Sequence, residues 1–133
     1  MDQATRLRLG ELLGTEVTGA HSLGGQHGVR HYRVLLADGR MAFAKVGNGV
    51  DGAGAARRAA AVAASERDPA GFAAEAAGLR WLGEAASTGV PLVLAESGDC
   101  LVTDWIGAGQ PSRDAAARFG RELAGLHATG ADR

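Results

Sequence analysis

Apolar residues recur along the chain at two different periods, and the switches between them mark out the elements. Leu7, Leu9, Leu12 and Leu13 stand at loosely helical spacing between Gln3 and Leu13, and Gly14 follows as a stop, so a short helix that packs against a sheet is predicted there. From Thr15 to Leu23 a weak alternation around Val17 predicts a first strand, which leads into a loop carrying Gly24, Gly25 and Gly28. From His31 to Leu36 the alternation is strict and puts Tyr32, Val34 and Leu36 on one face of a second strand. The Asp38-Gly39 pair is a hairpin signal, so Met41 to Val46 pairs back as a third strand. By the same parity Met41, Phe43 and Lys45 lie on one side of it, and Ala42, Ala44 and Val46 on the other.

Beyond Lys45 the pattern is lost. Glycine-rich turns give way to an alanine-rich, arginine-bearing stretch from Ala53 to Ser65, which favours helix but has little to bury. Residues 46–71 are therefore expected to form a mobile, solvated insertion. Helical period returns with Asp68 as N-cap and Pro69 at the first helical position, and Phe72, Ala76, Leu79 and Leu82 mark a buried stripe. Glu75 falls inside that stripe. An inward carboxylate calls for a cation, and Lys45 is the candidate on the sheet that this helix covers; a rotated helix would instead let Glu75 reach water.

Two more strands follow, Leu92 to Ala95 and Cys100 to Trp105, joined by a turn at residues 96–99, and residues 106–111 have linker composition. Ser112 can cap a last helix whose Ala116, Phe119, Leu123 and Leu126 form an apolar stripe that the other elements leave without a partner. The predicted fold is α+β: a five-stranded antiparallel sheet with a covering helix, then a linker and a further helix.

With 133 residues, 46% of them apolar, the chain is long enough for one compact domain. Its 14 basic and 15 acidic side chains nearly cancel, which points to neither nucleic acid nor an anionic membrane. The residues from Met1 to Gly10 show no signal-peptide core, and no apolar run approaches membrane-spanning length, so a cytoplasmic location is expected. A single cysteine, Cys100, excludes an internal disulfide framework, and no His/Cys cluster has metal-finger spacing.

The chemistry-bearing stretch is Ser22 to Lys45. Gly24, Gly25 and Gly28 can bring backbone N–H donors close to a phosphate, and Lys45, at the end of a strand paired beneath them, can bridge phosphates. The plainer reading is a turn and a solvated edge charge. His21, His31 and His127 are scattered and read as surface or packing residues, and Ser22 and Ser112 lack the matched His/Asp partners of a hydrolase triad.

Taken together, LGGQHGVRHYRVLLADGR (23–40), FAK (43–45), FAAEAAGLRWL (72–82), VPLVLAESGDCLVTDWI (90–106) and FGRELAGLHATG (119–130) resemble the N-terminal lobe of the fructosamine/ketosamine kinase family. These enzymes are small-molecule relatives of protein kinases and aminoglycoside phosphotransferases. The resemblance implies a nucleotide-binding lobe over residues 1–106, a hinge at 107–111, and at 112–133 the first helix of a C-terminal lobe. It implies transfer of the ATP γ-phosphate to the sugar 3-hydroxyl of a ketosamine, a glycated amine or protein, and hence a role in protein deglycation. Residue by residue, it implies that Lys45 contacts the α/β-phosphates and Glu75 aims it, and that Gly24, Gly25 and Gln26 cover the phosphates. The backbone of Thr103, Asp104, Trp105 and Ile106 would form the adenine hinge, with Phe43 in the pocket ceiling.

His27 stands where the family often has Asp or Cys, and the segment before the Glu75 helix is longer than the family usually carries. The family's His-Gly-Asp catalytic loop and its magnesium ligands belong to the C-terminal lobe. A lobe ending at Arg133, before them, is expected to be catalytically silent on its own, with Mg²⁺ supplied through the other lobe. Two alternatives stand beside this reading. One is the lobe of an aminoglycoside- or choline-type phosphotransferase. The other is a non-catalytic nucleotide-binding or dimerising module that self-associates through the 116–126 helix face.

Overall fold

The computed structural model describes residues 1–47, 71–84 and 89–129. The helix start predicted at Asp68-Pro69, and the expected insertion apart from its edges, lie outside the described residues. In chain order the elements are α1 (Gln3–Leu13), β1 (Val17–Gln26), β2 (Val29–Leu36), β3 (Met41–Gly47), α2 (Gly71–Glu84), β4 (Val93–Ser97), β5 (Cys100–Asp104) and α3 (Arg113–Thr129). The five strands form one antiparallel sheet in the order β1-β2-β3-β5-β4. The chain leaves β3, passes through α2, and returns at the far edge before β5 fills the place beside β3.

α1 begins at Asp2, whose carboxylate accepts the Thr5 N–H at 2.8 Å, and ends at Gly14 in the left-handed conformation (φ 64°) that a glycine adopts without steric cost. The Thr5 N–H bond holds the Asp2 carboxyl below its ordinary pKa. Of the four leucines that suggested this helix, Leu9 enters the core and Leu13 packs against it, whereas Leu7 is 62% exposed. Period two holds along β2 and β3. Tyr32, Val34 and Leu36 join Ala42, Ala44 and Val46 in one buried cluster with Leu9, Val17, Cys100 and Val102. That cluster fills one face of the sheet, with α1 lying against β1 and β4.

The opposite face carries α2, which packs against β4 and β5. Ala76 is its fully buried residue, and Phe72, Leu79 and Leu82 flank it half-buried, so the expected stripe is the packed one. α3 is capped at Ser112, whose hydroxyl accepts the Ala115 N–H at 3.1 Å, and none of its residues is buried. Among the described residues, no helix is long and apolar enough to cross a membrane.

The expected glycine loop is more ordered than a loop. β1 continues to Gln26, and Gly24, Gly25 and Gln26 pair with His31, Arg30 and Val29. The turn itself is His27-Gly28, both at positive φ (52° and 79°), which matches the right-handed twist of the paired strands. Gly25 allows the strands to close: a Cβ there would stand 2.4 Å from the Val29 carbonyl oxygen. The residue-level alternation was hidden because glycines carry no hydrophobic signal.

Candidate functional site

The face opposite the core is built in rows by strand register. One row runs Gly24, His31, Lys45 and Leu101 across β1, β2, β3 and β5, and the next runs His21, Arg33, Phe43 and Thr103. Residues directly opposite in an antiparallel pair share a face, so these side chains are neighbours. Leu101 is buried on this face beneath α2, and Thr103 is 6% exposed.

Lys45 reaches from β3 to α2, where its Nζ lies 2.5 Å from Glu75 Oε1. Their side chains are 27% and 39% exposed, so the pair is half-buried rather than sealed. Of the two readings of Glu75, the paired one holds. A second pair, Arg80 with Glu96 at 2.9 Å, ties the outer surface of α2 to β4.

Beside Lys45, Phe43 meets His31 with ring centroids 5.6 Å apart and planes tilted by 42°. The guanidinium of Arg33 sits 5.6 Å over the Trp105 ring, a cation–π contact joining β2 to the segment after β5. The face therefore carries His31, Arg33 and Lys45 together, with aromatic surface between them. The reading of His31 as a surface or packing residue agrees with its contact to Phe43, while the place of His31 and Arg33 in one row each with Lys45 and Phe43 was not drawn from the sequence. Their parity opposite Tyr32 and Val34, and the Asp38-Gly39 turn that sets residue 31 against residue 45, could have found them.

The segment expected to serve as a hinge is partly committed to the fold. Asp104 donates its N–H to the Leu92 carbonyl at 2.9 Å and accepts the Leu92 N–H on its carboxylate at 2.7 Å. Trp105 donates its N–H to the Met41 carbonyl at 3.3 Å, and Thr103 donates its hydroxyl to the Asp104 carbonyl. Among the described residues the Ile106 N–H donates to no backbone carbonyl, and Ile106 is 60% exposed.

Gly24, Gly25 and Gln26 end β1 at the hairpin tip, where Gly24 lies across from His31 with φ 99° and its N–H 3.4 Å from Ser22 Oγ. Among the described residues, no group of three or more His, Cys, Asp or Glu side chains is placed to hold a metal ion. With Lys45, Arg33 and His31 side by side, this face can present positive charge to an anion.

No protein-family description matches the chain, and no curated protein does. Among solved structures, a protein of Thermobifida fusca YX-ER1 provisionally assigned as a fructosamine-3-kinase matches 99% of the chain at 34% identity with a TM-score of 0.79. The aminoglycoside phosphotransferase APH(2″)-IIa, solved as a ternary complex with streptomycin and ATP, matches 99% of the chain at 14% identity with a TM-score of 0.59, a likeness of fold alone. The chain spans 41% and 42% of the lengths of these two proteins. In fold the chain is a protein-kinase-like N-terminal lobe, and in sequence it is similar, over nearly all its length, to that lobe of a fructosamine-kinase-type protein.

Proposed function

We propose that the chain is the ATP-binding lobe of a kinase that phosphorylates the sugar 3-hydroxyl of ketosamines, the glycated amines formed from sugars and amino groups. The observation that carries this reading is the Lys45–Glu75 pair, set on the sheet face opposite the core in a chain resembling a fructosamine-kinase-type protein. A lysine held by a helix carboxylate keeps its ammonium extended and available to the α/β-phosphates. The glycine tip closes over the phosphates, Phe43 packs against the base, and the Ile106 N–H and Asp104 carbonyl face its edge. When bound, ATP supplies the phosphoryl group; the residues of this lobe bind and orient it.

On this reading the lobe supplies the lysine half of the phosphotransfer arrangement, and a C-terminal lobe joined to it supplies the rest. The test is direct: a protein in which this lobe is joined to its C-terminal lobe is given ATP with fructosyl-lysine, an aminoglycoside or choline. Phosphate appearing on the fructosyl 3-hydroxyl alone supports the reading. Phosphate on the aminoglycoside or choline instead would replace it with the wider small-molecule phosphotransferase assignment.

A further inference from the structure

His31 sits in the same row as Gly24 and Lys45, directly between them. Cβ atoms of opposed residues in such a row are about 4.5–5.5 Å apart, so the imidazole and the lysine stem stand side by side. On the other flank Gly24 has no side chain, and a Cβ placed there would meet nothing within 4 Å. The space beside the ring on the tip side is open. Behind the ring, Phe43 packs against it at 5.6 Å and restricts its rotation. Packing alone would be served by any ring. A histidine adds two nitrogens, and among the described residues neither has a hydrogen-bond partner. Half-buried, next to a cation and beside Gly24, an imidazole N–H is placed to donate to an anionic oxygen.

We propose that His31 is a phosphate contact of this site, a binding residue that works beside Lys45 and sets how strongly the phosphates, rather than the base, hold the nucleotide. The inference rests on the nucleotide-binding reading above and adds a residue to it. It is tested by calorimetric titration of a non-hydrolysable ATP analogue and, separately, of adenosine into the intact protein and its His31→Phe and His31→Gln variants. Phenylalanine keeps the ring against Phe43 and removes the donor, while glutamine keeps a donor and removes the ring. The expected result is an affinity for the ATP analogue about tenfold lower in His31→Phe, partly restored in His31→Gln, with adenosine affinity unchanged. Equal analogue binding by wild type and His31→Phe would overturn the phosphate contact. A matching loss for adenosine would also overturn it, by making the ring a packing partner of Phe43. Wild-type protein that binds neither ligand would instead remove the nucleotide-binding reading itself, and this inference with it.

Discussion

Lys45 on β3 and Glu75 on α2 meet at 2.5 Å across 30 residues of chain, and their contact joins the strand's open face to the helix beside it. Both side chains keep substantial exposure, so solvent screens the pair and its share of stability is about 0–1 kcal/mol. Its consequence lies in where it holds the ammonium. Glu75→Gln should therefore leave the melting temperature within a few degrees of wild type, while ATP-analogue affinity drops several-fold. Thermal denaturation and titration on the same sample check both, and a large loss of stability with unchanged affinity would make the pair a structural clamp only.

The period-two partition of β2 predicts opposite outcomes for adjacent leucines. Leu36 is 1% exposed and Leu35 44%. Leu36→Ala should cost about 2–5 kcal/mol by leaving a cavity under the sheet, and Leu35→Ala about 0.5 kcal/mol or less. Urea denaturation measures both. Similar costs would mean that the core lies elsewhere.

Gly25→Ala would drive a Cβ into the Val29 carbonyl oxygen across the hairpin, and neither backbone can yield without opening the tip. Nucleotide affinity should fall, whereas Gly109→Ala, in open space, should change nothing. Titrating both variants decides the point, and full affinity in Gly25→Ala would take the tip out of the site.

Cys100 is buried, and burial is the leading cause that pushes its thiol above its ordinary pKa. A raised value means less thiolate at any given pH, so native protein at pH 8 should resist iodoacetamide and react once unfolded. Mass spectrometry of the alkylated protein reads this out, and fast native labelling would contradict the burial of β5.

Much of this was legible because the alternation between residues 31 and 46 is clean. Parity put Lys45 and Phe43 opposite the core, and the stripe through Phe72, Ala76 and Leu79 turned Glu75 toward the sheet. What was not legible depends on partners distant in sequence. That β5 and not β4 lies beside β3 is set by packing across the crossover, which no local pattern records. The pairing of Gly24 to Gln26 escaped notice because glycines show no alternation, and the occupied N–H groups of Asp104 and Trp105 depend on Leu92 and Met41. His31, read as a surface or packing residue, does pack on Phe43, but its position beside Lys45 emerges only from the strand register.

The central claim is that the sheet face bearing Lys45 grips a nucleotide's phosphates. Titrating a non-hydrolysable ATP analogue into wild type and Lys45→Ala, with the melting temperature of each recorded, tests it most directly. Wild type should bind measurably, and the variant should lose at least about tenfold in affinity with little change in melting temperature. Equal affinity in the two proteins would contradict it.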